Sequence, residues 1–225
     1  MKPIFIAGPC VIENKDVMRA VARELVRLRG LYDLNIYFKA SFDKANRTSI
    51  HSFRGPGLER GLQMLADIKA EFALPLLTDL LVASAQTGRP VNIKKAQFLS
   101  GLDMRYPVEK ARESGADEVW LTERGNTFGY NNLVVDFRNL PDMLRFTPRV
   151  IMDCTHSVQL PGADGGKTGG NREYVPMMAR AAKAFGATGY FFEVHPDPDN
   201  ALSDGPNMLA LRDLEEVVRS LISDN

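Results

Sequence analysis

Apolar residues follow two alternating patterns along the chain. Short runs rich in β-branched and aromatic residues are each followed by a longer stretch in which apolar residues recur every three or four positions. The first pattern is typical of buried strands and the second of amphipathic helices, so their alternation predicts βα units around a parallel sheet. The predicted strands are residues 4–7, 36–40, 75–78, 91–94, 119–122, 150–153 and 189–193.

The predicted helices each carry an apolar stripe that we expect to face the core. The stripes are Met18, Val21, Ala22, Leu25 and Leu28 in the first helix; Leu58, Leu62, Leu65, Ile68 and Phe72 in the second; Tyr174, Met177, Met178, Ala181, Ala182 and Phe185 after residues 150–153; and Leu211, Leu214, Val218 and Leu221 near the end. Stripes of this kind are core positions far more often than cofactor contacts.

Seven strands are one fewer than a (β/α)8 barrel needs, and the shortfall lies at one place. The run LPLLTD ends as a strand, yet residues 80–87 begin at once as a helix that leads to residues 91–94. No linker or change of composition marks a second domain. The sequence therefore predicts a single α/β domain over residues 1–225, a (β/α)8 TIM barrel that lacks its fourth strand and the helix before it.

Charge and composition exclude several classes of partner. The chain has 28 Lys and Arg against 28 Asp and Glu, so no general field would attract nucleic acid or an anionic membrane. No run of about 18 apolar residues is present, and Met1 to Pro3 enter an apolar strand without a signal-peptide layout. Two cysteines are too few for a disulfide framework. We expect a cytoplasmic protein with local anion sites.

The most cationic stretch is residues 36–57, where an apolar strand runs into a loop rich in hydroxyl groups. Its cations are Lys39, Lys44, Arg47 and Arg54. Lysine presents a compact charge to a phosphate and arginine a planar fork, so the loop suits phosphorylated or carboxylated ligands. A solvated basic loop is an equally good reading of the composition alone. The position at the carboxyl end of a strand favours a binding site.

Other candidates follow later strands. Lys94 ends the strand VNIK and Arg124 follows the next strand, so both are expected at the same mouth as Lys39. Lys95 should point away from Lys94 because side chains alternate along a strand, and we expect it to be solvated. The segment GADGGKTGG, residues 162–170, is expected to be a loop.

Four potential metal ligands are scattered in sequence but follow strands that become neighbours when a barrel closes. They are Cys10, His156, Glu193 and Asp204. A thiolate, an imidazole and two carboxylates suit a divalent Mn²⁺, Fe²⁺ or Zn²⁺ ion. The alternative is a small core thiol, a buried structural histidine and two acids in salt bridges. Convergence of all four at one end of the barrel favours the metal.

Several motifs together resemble one enzyme family. They are AGPCVIE, FKASFDKANRTSIHSFRGPGLE, TGRPVNIKKAQF, TERGNTFGYNNLVVD, DCTHSVQLPG and EVHPDPDNALSDGPN. The chain is similar to the 3-deoxy-D-manno-octulosonate 8-phosphate synthases. That resemblance implies a (β/α)8 barrel, a homotetramer, and condensation of phosphoenolpyruvate with arabinose 5-phosphate to release phosphate, a step toward lipopolysaccharide.

The resemblance also implies roles for individual residues. Those that match the phosphoenolpyruvate site are Lys39, Lys44, Lys94 and Arg124, of which Lys44, Lys94 and Arg124 are the expected catalytic groups. Those that match the arabinose 5-phosphate site are Asn46, Arg47 and Thr48. Asp79 is a further expected substrate-binding residue. Cysteine after AGP marks the metal-dependent class of the family, so Cys10 implies a metal, with His156, Glu193 and Asp204 as the other ligands.

The chain departs from the family at one place. The family has two Thr-Asp pairs about one βα unit apart, one at the end of a strand and one before a helix. Here the single pair Thr78-Asp79 both ends a strand and precedes a helix. The family's intervening segment carries substrate-site residues, so we expect low stability and impaired catalysis.

Two alternative functions remain open: the related synthase that uses erythrose 4-phosphate, and a silent protein that only binds metal or phosphoenolpyruvate. The run KANRTS in place of a KPRTS-like run argues against the first.

Overall fold

A computed structural model describes residues 2–44, 53–77, 88–129, 131–164 and 167–223. Its strands are β1 (Ile4–Gly8), β2 (Asn35–Lys39), β3 (Leu76–Leu77), β4 (Val91–Lys94), β5 (Val119–Glu123), β6 (Asn126–Thr127), β7 (Leu133–Val134), β8 (Val150–Asp153), β9 (Gln159–Asp164), β10 (Lys167–Gly170), β11 (Gly189–His195) and β12 (Leu209–Ala210). Its helices are α1 (Lys15–Tyr32), α2 (Leu58–Phe72), α3 (Arg105–Glu113), α4 (Asn139–Leu144), α5 (Val175–Ala184) and α6 (Leu214–Ile222). Single 3-10 turns include His156–Val158, Arg172–Tyr174 and Gly205–Asn207.

The main sheet is parallel and has the order β3-β2-β1-β11-β8-β5-β4, with β12 pairing with β11. All seven predicted strands are therefore present, as β1, β2, β3, β4, β5, β8 and β11. The sheet curls strongly, because the rings of Tyr37 on β2 and Trp120 on β5 meet at 5.2 Å although three strands separate β2 from β5 in the sheet. These parallel strands form a curled half-barrel of the TIM-like α/β class.

The inner and outer faces of the sheet have different roles. Inside, Ile4, Ile6, Trp120, Ile151 and Phe191 form an apolar cluster that fills the lower part of the half-barrel. Outside, alternate residues such as Phe5 and Phe38 pack in the larger core with the helices. The charged inner residues Lys39, Lys94 and Glu193 lie at or near the carboxyl ends of their strands. The alternation therefore places a closed apolar floor beneath a polar mouth.

The helix stripes were predicted well for α1 and α6 and less well for α2 and α5. The five stripe residues of α1 are all buried, and Asn14 caps its first turn by accepting a hydrogen bond from the Val17 N–H. In α2 the side chains of Leu58 and Leu62 are exposed, and the helix buries Gly61 and Met64 in addition to Leu65 and Ile68. In α5 the buried residues are Val175, Ala179 and Ala182, and Tyr174, Met177 and Phe185 are exposed.

Two local predictions were wrong. Residues 159–164 and 167–170 form an antiparallel hairpin, β9 and β10, where a loop was expected. Lys95 is almost fully buried, at 1 % exposure, instead of solvated. The cause in the second case is that the outer face of a parallel sheet is covered by helices and loops, so pointing away from the mouth does not mean pointing into water.

Among the described residues, the sheet ends at β3 on one side and at β4 on the other. Residues 78–87, which lie between these two strands in sequence, are outside the described ranges. None of the described helices has the length and apolar character needed to cross a bilayer.

Candidate active site

The candidate site lies at the carboxyl ends of β1, β2, β4, β5, β8 and β11. The parallel register of β1 with β11 pairs Gly8 with Glu193, so Cys10 emerges two residues beyond the level of Glu193. The register of β11 with β8 pairs Phe191 with Asp153. Because the strands of the main sheet are parallel, the residues at their carboxyl ends converge at one mouth.

Three of the four predicted metal ligands form one cluster. The Sγ atom of Cys10 and carboxylate oxygens of Glu193 and Asp204 all lie within 4.8 Å of one another. Cys10 Sγ is 2.9 Å from Asp204 Oδ2. Asp204 adopts the left-handed conformation with φ 50° at the start of a 3-10 turn, a conformation that aspartate tolerates better than most residues. The side chains thus converge without a local sequence motif.

His156 lies beside this cluster rather than within it. Its Nε2 atom is 3.4 Å from Glu193 Oε1, and its Nδ1 atom is 2.8 Å from Asp153 Oδ2. A histidine whose second nitrogen is bound by a carboxylate is oriented as metal-ligating histidines usually are. The imidazole is therefore placed so that Nε2 faces the same space as the Glu193 carboxylate.

Asp153 is a site residue that the sequence analysis missed. Its fully buried carboxylate accepts from the backbone N–H groups of Thr155 and His156 through Oδ1. Its other oxygen contacts His156 Nδ1 and accepts from Lys94 Nζ at 2.6 Å. Burial alone would raise the pKa of Asp153, but the charges of His156 and Lys94 outweigh it and lower that pKa. The Asp-x-x-His spacing after a buried strand was the available signal.

The donor set suits a divalent cation. Glu193 Oε2 is buried and has no hydrogen-bond partner among the described residues. Burial, and then the charge of Glu193, raise the pKa of the Cys10 thiol to about 12. A free thiolate is unfavourable in a buried position between two carboxylates. A divalent cation at that position would instead be stabilised by the thiolate and the carboxylate oxygens as its ligands. Cys10, His156, Glu193 and Asp204 are therefore the residues that could hold one.

Lysines surround the same carboxylates. Lys39, almost fully buried, donates to Glu193 Oε1 at 2.7 Å and to the Cys10 carbonyl at 3.2 Å. Lys44 Nζ lies 3.8 Å from the same Glu193 oxygen. Burial would raise the pKa of Glu193, but Lys39, His156 and Lys44 together lower it well below its usual value. Glu193 is therefore ionised and surrounded by cationic side chains.

Lys94 and Arg124 complete the cationic wall. The Lys94 ammonium stands over the Phe191 ring, 4.5 Å from its centroid. Arg124 Nη2 donates to Gln159 Oε1 at 2.8 Å and to the His156 carbonyl at 3.3 Å, and its Nε is buried without a hydrogen-bond partner in the described part of the chain. Burial lowers the pKa of Arg124, although arginine stays charged. Its guanidinium thus keeps a donor for a ligand.

Several residues that the sequence suggested are either outside the described ranges or not in the cluster at the mouth. Asn46, Arg47, Thr48 and Asp79 lie outside the described residues. Arg54 pairs with Asp43 at 2.7 Å, and its side chain is more than half exposed. Cys154 is fully buried and contacts the Met152 carbonyl, as expected for a packed core thiol.

Comparison with known proteins identifies relatives over nearly the whole chain. The model of the DAHP synthetase I family matches residues 1–84 and 78–224. A 2-dehydro-3-deoxyphosphooctonate aldolase of Desulfatibacillum aliphaticivorans is 46 % identical over 248 residues, covering 98 % of this chain and 91 % of the relative. Proteins with the same name from Campylobacter jejuni subsp. jejuni (47 %, covering 98 % and 96 %) and Xylella fastidiosa (48 %, covering 98 % and 91 %) are equally similar.

These identities and coverages leave no ambiguity about ancestry. The resemblance seen in the motifs is thus confirmed by whole-chain similarity, and the chain belongs to the DAHP synthetase I family, within the group of 2-dehydro-3-deoxyphosphooctonate aldolases, which are the 3-deoxy-D-manno-octulosonate 8-phosphate synthases.

Proposed function

We propose that the chain condenses phosphoenolpyruvate with D-arabinose 5-phosphate and water, forming 3-deoxy-D-manno-octulosonate 8-phosphate and inorganic phosphate. The observation that carries this proposal is the mouth itself, where Lys39, Lys44, Lys94 and Arg124 surround buried carboxylates and a thiol. The names of the relatives supply the substrates. Such a reaction makes a lipopolysaccharide precursor.

The cations have a clear task in this reaction. Two anionic substrates repel each other, and the enol carbon of one must be held against the aldehyde of the other. Lys94 and Arg124 bind the phosphate and carboxylate of phosphoenolpyruvate, with Lys39 and Lys44 beneath them. Lys94 is paired with Asp153, so substrate binding would exchange a protein carboxylate for a substrate anion. Asn46, Arg47, Thr48 and Asp79 hold the arabinose 5-phosphate in this proposal.

A divalent ion completes the proposed site. Cys10, Glu193 and Asp204 hold it, with His156 as the fourth ligand; Mn²⁺, Fe²⁺ and Zn²⁺ all suit this mixture of sulfur, nitrogen and oxygen. When bound, such an ion supplies Lewis-acid stabilisation of developing oxyanion charge. The protein's own contribution is to orient these groups. Asp153 fixes the His156 ring, and Lys39 and Lys44 keep Glu193 ionised.

We further propose that the chain lacks one βα unit of the family's barrel, the helix before the fourth strand and that strand. Two observations support this. The family model matches in two stretches that both use residues 78–84, and the alignment with the Desulfatibacillum protein runs over 248 positions although this chain has 225 residues. Closing such a barrel requires β3 and β4 to pair directly, or leaves two open edges.

We propose a single domain that assembles as a homotetramer in the cytoplasm, with no nucleic acid or membrane partner. The surface that supports assembly is the segment around α3, where Phe98, Leu102 and Tyr106 are 85 %, 49 % and 59 % exposed. Isolated exposed apolar residues are common, but three along nine residues are typical of a contact with another subunit. Sedimentation equilibrium of the chain and of a Phe98→Ser variant tests this assignment.

The deciding experiment is phosphate release from phosphoenolpyruvate by the purified chain. It is run with arabinose 5-phosphate or erythrose 4-phosphate, and with added Mn²⁺ or a chelator. Release with the five-carbon sugar alone, abolished by chelation, supports the whole proposal. Release with the four-carbon sugar assigns the chain to the related synthase. No release from protein that is folded and binds phosphoenolpyruvate identifies a silent member of the family.

A further inference from the structure

A buried ion pair lies just outside the mouth, between the ends of β4 and β5. Lys95 Nζ is 3.4 Å from Glu123 Oε1, and both side chains are completely buried. Burial of two charges is costly, and apolar side chains of similar volume often serve stability equally well. The contacts that this pair makes therefore indicate what it does.

Lys95 connects two loops of the mouth. Its ammonium donates to the Leu99 carbonyl at 3.0 Å and to Asn126 Oδ1 at 2.9 Å, and it lies 3.5 Å from the Gly125 carbonyl. Leu99 belongs to the loop after β4, whereas Gly125 follows β5 and Asn126 is the first residue of β6. Asn126 strengthens the same link by donating from Nδ2 to the Leu99 carbonyl at 2.9 Å. One cation thus fixes the two loops to each other.

Glu123 fixes the backbone on both sides of Arg124. Its Oε1 accepts from the Arg124 N–H at 2.9 Å and from the Gly125 N–H at 2.5 Å. Gly125 has φ 86°, a left-handed conformation that favours glycine. The same oxygen faces Lys95. The turn that carries Arg124 is therefore held by one carboxylate, which is held in turn by one ammonium.

We propose that Lys95 and Glu123 are positioning residues for phosphoenolpyruvate binding: they hold Lys94 and Arg124 at a fixed separation across the mouth. This inference rests on the proposed function, in which Lys94 and Arg124 bind that substrate. The pair suits the task because it is neutral as a whole and buried, so it does not compete with Arg124 for the substrate anion. A displacement of about 1 Å in such a site can cost roughly a hundredfold in rate.

The test compares four variants with the full-length chain. Glu123→Ala removes the oxygen that accepts the two N–H groups, whereas Glu123→Gln keeps an acceptor but loses the charge. Lys95→Met removes the link between the loops. The double variant Lys95→Met/Glu123→Gln removes both charges, so it leaves no buried carboxylate unpaired and remains decisive if Lys95→Met does not fold. Lys110→Met, at an exposed position on α3, is the control.

The measurements are kcat and KM for each substrate, the calorimetric Kd for phosphoenolpyruvate, and the melting temperature. We expect Glu123→Ala, Lys95→Met and the double variant to raise KM and Kd for phosphoenolpyruvate about tenfold or more. Glu123→Gln should have a smaller effect because it restores an acceptor. The KM for arabinose 5-phosphate should change less than twofold, since its proposed site is on another loop.

A purely structural role gives a different result. Lower melting temperatures with an unchanged phosphoenolpyruvate KM and Kd would overturn the inference and leave the proposed function intact. Failure of the unaltered chain to bind phosphoenolpyruvate would instead overturn the proposed function, and the inference with it. The two failures are distinguishable because only the second appears in the unaltered chain.

Discussion

Cys10 and Cys154 offer a matched pair of buried thiols at the scale of single residues. Both are buried, but of the two, only Cys10 belongs to the cluster of potential metal ligands found among the described residues. We expect Cys10→Ala to lose tightly bound divalent metal and phosphate release, because the soft thiolate is gone and only an imidazole and two carboxylates remain. Metal analysis after dialysis against a weak chelator, together with the phosphate assay, measures both effects.

The control for that prediction is Cys154→Ala, which removes a core thiol that donates to the Met152 backbone carbonyl. It should retain metal and turnover while losing some stability. Full turnover of Cys10→Ala in the presence of chelator would exclude a required metal. A thiolate-to-metal absorption band on loading with Co²⁺, present in Cys154→Ala and absent in Cys10→Ala, adds a spectroscopic readout.

Asp153 connects the candidate metal ligand His156 with the candidate substrate ligand Lys94 through one oxygen. Asp153→Asn preserves the shape and one acceptor but removes the charge that both partners face. We expect about ten- to a hundredfold weaker metal binding, the usual effect of removing a carboxylate behind a ligating histidine. Competition with a chelating dye measures the dissociation constant.

Asp136→Asn is the matched control for Asp153→Asn, because Asp136 pairs with Arg138 at the surface. It should leave the metal dissociation constant unchanged. If Asp153→Asn bound metal as tightly as the unaltered chain, His156 would be oriented by something other than this carboxylate, and its assignment as a ligand would lose its main support.

The contrast between Cys10 and Lys95 shows what single residues in a sequence reveal. Cys10, Glu193 and Asp204 were predicted to converge because parallel strands bring their carboxyl ends together, and their potential ligand atoms lie within 4.8 Å of one another. Lys95 was misassigned because strand alternation tells only which face a side chain occupies. Whether that face is covered depends on loops that are distant in sequence, here the one containing Gly125 and Asn126. Asp153 was overlooked although its spacing to His156 was visible, because its other partner, Lys94, lies on a strand that is distant in sequence.

At the scale of elements, the close contact of β1 with β2 depends on Gly8. A Cβ at this position would lie 1.7 Å from the Lys39 carbonyl oxygen, a backbone atom that cannot move without disturbing the strand pairing. We therefore expect Gly8→Ala to lower the free energy of unfolding by more than about 3 kcal/mol. It should also weaken metal binding, because this pairing positions both Lys39, at the end of β2, and Cys10, just after β1. Urea unfolding followed by circular dichroism measures the first effect.

Gly30→Ala provides the comparison, since Gly30 lies within α1 and a Cβ there would meet nothing within 4 Å. Alanine in a helix interior is favoured over glycine by about 0.5–1 kcal/mol, so this variant should be slightly more stable. Equal effects of the two substitutions would contradict a specific role for the β1–β2 contact.

Strands were easier to predict than helix faces in this chain, for a physical reason. A buried strand needs only a short run of apolar residues, and β4 and β8 were placed with their observed bounds. A helix face also requires the phase of the helix. In α5 the 3-10 turn at Arg172–Tyr174 precedes the helix, so the predicted stripe was out of phase. The buried Val175, Ala179 and Ala182 are small and allow close approach, whereas a hydrophobicity pattern favours the larger Tyr174 and Met177.

At the scale of the whole molecule, surface carboxylates should make stability depend on pH. The pKa values of five lie below their ordinary values, chiefly because side-chain hydrogen bonds stabilise the charged form: Asp43, Asp67, Asp103, Asp136 and Glu215. A lowered folded-state pKa contributes stability above the unfolded value, near pH 4, which is lost as pH falls through the folded value. We expect the free energy of unfolding to be level between pH 7 and 5 and to fall below about pH 4.

Arg138→Gln tests the origin of that fall, because it removes the partner that lowers the pKa of Asp136. Its acid-induced loss of stability should be smaller than that of the unaltered chain, and added salt should reduce the difference between the two. Stability that stayed constant down to pH 3, measured by urea unfolding, would contradict the assignment of these contacts.

The proposed absence of one βα unit affects the molecule as a whole. The described sheet has a two-residue strand, β3, at one edge and the four-residue β4 at the other, and the cross-barrel contact of Tyr37 with Trp120 is the described interaction that joins β2 to β5. Lys94 stands on β4, and its position therefore depends on an edge strand. We expect this chain to melt well below its Campylobacter relative and to release phosphate at a rate at least about a hundredfold lower.

Restoring the unit provides the sharpest test, since it changes strand number without altering any residue of the candidate site. Insertion of the relative's βα segment after Asp79 should raise the melting temperature and the rate of phosphate release together, because a paired β4 holds Lys94 in place. A Gly/Ser segment of the same length is the control, and it should raise neither, since it lengthens the connection without adding a strand. Turnover by the unaltered 225-residue chain that equals that of the relative would refute the proposal, because the site would then be complete with β3 and β4 as they stand.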